Sequence, residues 1–119
     1  MEKRITAPIS KEQIKELHAG DNVLIFGVIY TARDAAHERM VRLHNEGEPF
    51  PIELKDQIIY YAGPCPAKPG EVIGSCGPTT AGRMDAYAPV LMDNGLGAMI
   101  GKGARNKAVI DSMKKNCCV

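Results

Sequence analysis

The sequence predicts an α/β fold built on a largely parallel sheet, and three observations lead to that class. Residues 23–30, VLIFGVIY, are apolar without alternation, which is typical of a strand covered on both faces. Shorter apolar segments at 58–61 and 96–100 have the same character. Capped helical patterns separate these segments, as in βαβ units. With 119 residues, the chain is expected to form a single domain over 1–119.

The composition narrows the class of function. The formal net charge is +1 and Trp is absent, so neither a basic surface for nucleic acid nor a base-stacking surface is predicted. The N-terminal residues MEKRITAPIS lack the apolar core of a secretory signal. No apolar run reaches the length of a membrane span. We therefore expect a cytoplasmic protein that binds neither membranes nor nucleic acids.

Capping signals define the helices of the first half. A short strand over 5–7 precedes Ser10, which forms a predicted capping box with Gln13 and starts a short helix. The buried strand is predicted over Asn22–Tyr30. A second capping box, on Thr31, is predicted to start a helix that runs to about residue 45 and stops at Gly47, and the histidines at 37 and 44 are expected on its surface.

The second half is predicted to alternate between strands and helices. Asp93, Asn94 and Gly95 form a turn signal between two of these elements. The predicted strands are 51–54 at an edge, 58–61, 71–75 and 96–100, and the predicted helices are 81–92 and 104–115.

The stretch GPTTAGRMD, residues 77–85, carries the most specific chemistry. Gly77 and Pro78 are predicted to form a tight turn, and Thr79 offers a hydroxyl where a helix N-cap would lie. Arg83 follows one helical turn later. Unpaired backbone N–H groups, a hydroxyl and a guanidinium at one helix start suit a carboxylate or a phosphate. A capped helix with a solvent-exposed arginine is the alternative.

Three strand-to-helix junctions each carry a cation, namely Arg33, Arg83 and Lys102. Ligands of open α/β sheets bind at the carboxyl ends of the strands, so adjacent strands would bring these cations to one pocket. Such a pocket suits a small dianion, with Thr79 as the hydroxyl placed for proton transfer once another group activates it. The alternative is that Arg33 and Lys102 are solvated surface residues. GKG lacks the remaining residues of a phosphate-binding P-loop.

The cysteines suggest no metal site in this chain. Cys65, Cys76, Cys117 and Cys118 form no Cys-x-x-Cys pair, and no histidine is spaced to complete a zinc site. Free thiols without an assigned role are the expectation.

Taken together, TARDAAHERM, IIYYAGP, GPTTAGRMD and GKG resemble the beta subunit, or C-terminal domain, of the iron–sulfur fumarases and tartrate dehydratases. The resemblance runs from Ile5 onward. It implies a swivelling β/β/α domain within an enzyme that reversibly dehydrates a small hydroxy-dicarboxylate. Malate to fumarate is the first expectation and tartrate to oxaloacetate is the second.

The resemblance also implies roles for individual residues and a partner. It assigns substrate binding to Arg33, Arg83 and Lys102, and the general base to Thr79, activated by an aspartate of the alpha part. It assigns the 4Fe–4S cluster to cysteines of that alpha subunit, so this chain is expected to act within a hetero-oligomer.

In one respect the sequence departs from this family, whose members usually continue past the position of Asn116 with another strand and further helices. A domain without its last strand and helices is therefore expected. Two other functions are consistent with the residues: a non-catalytic module that binds a phosphate or another anion, and a structural protein that retains the fold without activity.

Overall fold

A computed structural model of the protein describes residues 2–119. Seven strands and four α-helices are formed in this range, together with a 3₁₀ turn over Ala81–Met84. The strands are β1 (Glu2–Thr6), β2 (Asn22–Phe26), β3 (Tyr30–Thr31), β4 (Ile58–Tyr60), β5 (Ala62–Pro64), β6 (Cys76–Pro78) and β7 (Ala98–Ile100). The helices are α1 (Lys11–Lys15), α2 (Asp34–Asn45), α3 (Ala88–Asp93) and α4 (Lys107–Asn116).

The central sheet is parallel, with strand order β3-β4-β7. Its middle strand β4 is covered on both faces, and Ile58 and Ile59 are fully buried. Ile59 lies opposite Tyr30 of β3 and Met99 of β7. The predicted α/β class with a parallel central sheet is therefore confirmed, and so is the prediction of a short apolar strand at each of 58–61 and 96–100.

The prediction of one buried strand over 22–30 is wrong. Gly27 has a φ of +98° and separates β2 from β3, and a side chain there would meet the carbonyl oxygen of Ala7 at 2.8 Å. β2 pairs in parallel with β1 in a separate two-stranded sheet. Phe26 is 47% exposed and Val28 77% exposed. The apolar run is therefore only partly covered: Ile25 and Ile29 pack against the core, whereas Phe26 and Val28 face outward.

Residues 62–78 form a hairpin instead of a strand followed by a turn. β5 and β6 pair antiparallel, with Gly63 opposite Gly77. The predicted strand at 71–75 is absent from the described chain, and Val72 and Ile73 are exposed there. Gly77 and Pro78 lie within β6, so the predicted tight turn at these residues is also wrong. β-Branched residues favour a strand only when a neighbouring strand is available to pair with them.

The helix starts agree in part with the capping signals. The capping box of α1 is confirmed, because the Gln13 backbone N–H donates to Ser10 Oγ at 3.2 Å and the Ser10 N–H donates to Gln13 Oε1 at 3.2 Å. The box predicted on Thr31 is wrong, since Thr31 belongs to β3 and Arg33 occupies the N-cap of α2. Asn106 caps α4 by accepting from the Val109 N–H.

The single helix predicted over 81–92 is interrupted. The 3₁₀ turn ends at Met84, and α3 begins only at Ala88. Pro89 lies in the first turn of α3, where its missing N–H is tolerated, whereas a helix continuing from Ala81 would need that donor. The edge strand predicted at 51–54 is also absent, and that segment is an irregular connection.

The core has two main parts. One lies between the central sheet, α2 and the 3₁₀ turn and includes Tyr61, Met84 and Leu91, all fully buried. The other lies between the β1–β2 pair and the central sheet and includes Ile9 and Ile14. None of the helices over residues 2–119 has the length and the hydropathy of a membrane-spanning segment.

Candidate functional site

The carboxyl edge of the central sheet carries two of the predicted residues. Arg33 follows the last residue of β3 by two positions, and Lys102 follows the last residue of β7 by two. Backbone hydrogen bonds continue the ladder past the strands, from Ala32 N–H to Tyr60 O at 3.1 Å and from Tyr61 N–H to Ile100 O at 2.8 Å. Arg33 and Lys102 therefore leave the sheet at the same edge.

Thr79 is held at this edge by its backbone. Its N–H donates to Tyr61 O at 2.7 Å, directly beyond the end of β4. Its carbonyl accepts from Lys102 N–H at 3.3 Å, and the Ala81 N–H donates to Lys102 O at 2.8 Å. Thr80 and Lys102 thus form a short parallel bridge. The strand predicted to deliver the threonine motif is absent, but the motif reaches the same edge through the β5–β6 hairpin.

Arg33 and Arg83 line a common cleft of about 690 Å³ between the start of α2 and the hairpin. Arg83 Nη2 donates to Asp34 Oδ2 at 2.5 Å, and both side chains are substantially exposed, at 58% and 43%. Among the described residues, Thr79 and Lys102 are not part of the lining of this cleft. The structure thus brings the predicted residues together as two pairs, Arg33 with Arg83 and Thr79 with Lys102.

His37 is fully buried, contrary to the predicted surface position. Its Nδ1 lies 2.7 Å from Arg33 O, which also accepts from the His37 backbone N–H at 2.9 Å. The Nδ1–H tautomer satisfies that contact. Nε2 is buried without a hydrogen-bond partner in the described chain. Burial lowers the pKa of His37, while the hydrogen bond to Arg33 opposes that shift.

His44 does lie on the surface of the same helix, as predicted, and its ring stacks on Phe50. His37 differs because the first turn of α2 packs over Tyr61, whose ring centroid is 5.3 Å from that of His37. Helical periodicity places both histidines on one face, which is covered at His37 and Met40 and exposed at His44.

Sequence reasoning missed a partly buried ion pair next to the candidate site. Arg105 Nε donates to Asp85 Oδ1 at 2.7 Å, and the side chains are only 14% and 11% exposed. The other carboxylate oxygen of Asp85 accepts from the Asn106 N–H at 2.9 Å. Asp85 is the last residue of the GPTTAGRMD stretch, but Arg105 carries no motif that would have indicated its partner.

The Arg105 guanidinium also contacts Tyr61. It lies 5.3 Å from the centroid of the ring, and Nη2 is 3.4 Å from the phenolic oxygen. Burial raises the pKa of Tyr61, although the hydrogen bond from Arg105 acts in the opposite direction. Tyr61 therefore contacts His37 and Arg105 through its side chain, and Thr79 through its carbonyl.

The cysteines are dispersed. Cys65 is exposed, Cys76 and Cys117 are half-buried, and Cys118 is buried with its thiol 3.0 Å from Leu96 O. Burial raises the pKa of Cys118. Over residues 2–119, no three His, Cys, Asp or Glu side chains are grouped so that they could hold a metal ion.

Comparison with known proteins agrees with the motifs at this edge. The sequence model of the family described as Fumarase C-terminus matches residues 2–119. The chain belongs to this family. The resemblance to the C-terminal domain of fumarases, predicted from the motifs, is therefore confirmed.

Named relatives of this Fumarase C-terminus chain include two fumarate hydratases. The chain is 42% identical over 113 residues to "Fumarate hydratase 2" of Leishmania major, covering 92% of this chain and 20% of the relative. It is 39% identical over 116 residues to "Fumarate hydratase class I, aerobic" of Salmonella typhimurium, covering 94% and 20%.

A relative of another kind is named as a subunit. The chain is 36% identical over 109 residues to "Putative L(+)-tartrate dehydratase subunit beta" of Methanocaldococcus jannaschii, covering 89% of this chain and 56% of the relative. This Fumarase C-terminus chain thus spans about a fifth of the two fumarate hydratases and just over half of the named beta subunit.

Proposed function

We propose that this chain is the substrate-binding and proton-transfer part of a hydro-lyase that reversibly dehydrates a small hydroxy-dicarboxylate. The observation that carries the proposal is the meeting of Arg33, Thr79 and Lys102 at one sheet edge, with Arg83 in the same cleft as Arg33. Relatives named fumarate hydratase and tartrate dehydratase support the class of reaction. Malate is the first candidate substrate and tartrate the second.

Three cationic side chains, those of Arg33, Arg83 and Lys102, would make the site selective for a diacid. Arg33 and Arg83 lie on the walls of one cleft, and a guanidinium binds a carboxylate through two parallel hydrogen bonds. Lys102, between Gly101 and Gly103, adds a compact positive charge for the second carboxylate. Asp34 holds Arg83 through a pair exposed enough to be exchanged for a ligand carboxylate at little energetic cost.

Thr79 is the proposed general base. Its oxygen would accept the proton from the carbon next to one carboxylate, while hydroxide leaves the neighbouring carbon and the double bond forms between them. A threonine hydroxyl is a weak base, so its own proton must pass to a second group. The resemblance assigns that task to an aspartate of the alpha subunit.

The residues described here do not fit a 4Fe–4S cluster, because their cysteines are not grouped. We therefore assign the cluster to the alpha subunit, as the resemblance implies, and expect a hetero-oligomer. When bound, such a cluster supplies a Lewis acid for the departing hydroxyl group.

The test is anaerobic reconstitution with the alpha subunit, followed by assays on malate and on tartrate. Turnover of either diacid that requires both polypeptides supports the proposal and identifies the substrate. A complex with a loaded cluster that dehydrates neither diacid contradicts it.

A binding assay separates this proposal from the non-catalytic anion module. Titration calorimetry on the isolated chain should detect binding of malate or tartrate but not of inorganic phosphate or a nucleotide. Arg83→Ala should weaken the affinity for the diacid by at least tenfold. Preference for phosphate or a nucleotide would favour the non-catalytic module.

A further inference from the structure

The side chain of Tyr61 lies at the meeting point of the candidate site. Its ring packs so closely against Gly101 that a side chain at this glycine would meet Cδ2 at 2.8 Å. Its backbone carbonyl binds the Thr79 N–H at 2.7 Å, and its N–H binds Ile100 O at 2.8 Å. A displacement of Tyr61 would therefore be transmitted to both Thr79 and the segment that carries Lys102.

Arg105 is a second side-chain partner of Tyr61, besides His37. Its guanidinium contacts the Tyr61 ring and hydroxyl while donating to Asp85. The thioether sulfur of Met99 lies 3.8 Å from Nη1 of the same guanidinium. One planar group thus contacts Tyr61, just beyond β4, together with Met99 of β7 and Asp85 at the end of the GPTTAGRMD stretch. A lysine ammonium cannot reproduce this geometry.

The ion pair between Arg105 and Asp85 is suited to fixing the relative positions of the segments it connects. Both side chains are largely withdrawn from solvent, so removing one partner leaves the charge of the other without its counter-ion. Asp85 also accepts from Asn106 N–H, which ties the start of α4 to the same carboxylate. The segment 101–106, which includes Lys102, is therefore anchored at its C-terminal end by the hydrogen bond from Asn106 N–H to Asp85.

We propose that Arg105 and Asp85 are positioning residues, which fix the Lys102 segment against Thr79 through Tyr61. The expected effect on kcat rests on the proposed function, whereas the expected effect on the positions of Lys102 and Thr79 does not. Neither residue lines the cleft shared by Arg33 and Arg83. Their effect on the reaction is therefore indirect and acts on the relative placement of the proton-transfer group and one cation.

The test compares Arg105→Met, Arg105→Lys and a control, Val109→Ala. Arg105→Met retains the length of the side chain and removes its charge, whereas Arg105→Lys retains the charge and loses the planar fork. Val109 is fully buried in α4 and belongs to a different core cluster from Tyr61, so its truncation lowers stability through a cavity without removing a contact of Arg105 or Asp85. The control separates loss of stability from loss of positioning.

The first readout is amide hydrogen exchange in the purified chain, which requires no activity. In Arg105→Met, exchange at Thr79, Ala81 and Lys102 should accelerate at least tenfold relative to the amides of α2. Arg105→Lys should give a smaller change at the same amides. Val109→Ala should affect these three amides no more than the rest of the chain. Unchanged exchange at all three amides in Arg105→Met would overturn the inference.

The second readout is steady-state kinetics of the complex reconstituted with the alpha subunit. Arg105→Met should lower kcat about tenfold or more, with partial recovery in Arg105→Lys, while Val109→Ala retains the wild-type kcat per folded molecule. Wild-type kcat in Arg105→Met would also overturn the inference. If the wild-type complex dehydrates neither diacid, the proposed function fails, and the exchange data alone decide whether Arg105 positions Lys102.

Discussion

Thr79 is held at the sheet edge by two backbone hydrogen bonds, one to Tyr61 and one from Lys102. This arrangement leaves the position of its Cα independent of its own hydroxyl. A substitution that removes only the hydroxyl should therefore preserve the local fold, which makes Thr79 suitable for a direct test of its proposed role.

Thr79→Ala should lower kcat about 100-fold or more, the usual effect of removing a positioned acid–base group, while diacid binding changes little. Assays of the reconstituted complex and calorimetry with malate measure the two effects. Thr80→Ala is the matched control, because it removes the neighbouring exposed hydroxyl and should leave kcat unchanged. Near-wild-type turnover in Thr79→Ala would remove Thr79 from the mechanism.

His37 couples stability to pH. Burial lowers its pKa in the folded chain, so below the ordinary value of 6.5 the unfolded state binds more protons than the native state. The free energy of unfolding should therefore fall as the pH drops from 6.5 towards the lowered native pKa, by up to about 1.4 kcal/mol per pH unit.

His37→Phe should remove this pH dependence while retaining an aromatic ring beside Tyr61. Urea unfolding at several pH values between 7 and 5 measures the slope. The control is His44→Phe, which removes an exposed imidazole from the same helix and should retain the wild-type slope. An unchanged slope in His37→Phe would contradict this origin of the pH dependence.

At the scale of elements, the candidate site depends on a close approach between β7 and the 3₁₀ turn. Gly101 lies at this contact, where an added Cβ would meet the Tyr61 ring at 2.8 Å and Ala81 Cβ at 3.1 Å. Gly77, in the hairpin strand β6, has nothing within 4 Å of the same position. Replacing each glycine by alanine therefore tests whether the close packing at position 101 requires the absence of a side chain.

Gly101→Ala should lower the free energy of unfolding by about 1–3 kcal/mol, because the methyl group overpacks a core that is already filled. Gly77→Ala should change it by less than about 0.5 kcal/mol. Chemical denaturation of both variants provides the comparison. Equal stabilities would show that Tyr61 and Ala81 move away without cost.

At the scale of the whole molecule, the beginning and the end of the described chain are joined. Lys11 Nζ donates to Asn116 O at 2.8 Å and to Cys117 O at 3.1 Å, at the carboxyl end of α4. Val119 lies beside β7, where its carbonyl oxygen accepts a hydrogen bond from Met99 N–H at 2.9 Å. A cation at the end of α4 also interacts favourably with the helix dipole.

Lys11→Met should therefore lower the free energy of unfolding by about 1–2 kcal/mol and the Tm by about 5 °C, through loss of charge-assisted hydrogen bonds. Calorimetry measures both. Lys15→Met is the control. Lys15 is exposed at the other end of α1, the helix that begins with Lys11, so its replacement should have little effect on stability. A Tm for Lys11→Met equal to that of Lys15→Met would show that the contact contributes nothing.

Several features were predictable from the sequence because adjacent residues determine them. The Ser10–Gln13 capping box, the Asp93–Gly95 turn and the stop at Gly47 depend on hydrogen bonds and backbone angles within a few residues. The apolar segment at 58–61 is short and uninterrupted, and it forms the middle strand of the parallel sheet. The run at 22–30, which chiefly predicts that sheet, is not one buried strand. The motif from Gly77 to Asp85 identified the family and the candidate chemistry.

Only the tertiary structure decided which apolar or polar side chains are covered. Burial depends on elements distant in the sequence. Composition therefore predicts Phe26 in a core, although it is half exposed, and the polar character of histidine predicts His37 on the surface, although it is fully buried. The pair of Asp85 with Arg105 joins residues 20 positions apart. No local hydrogen-bonding or steric rule links those two positions, so their contact emerges only when β4, β7 and the 3₁₀ turn pack together.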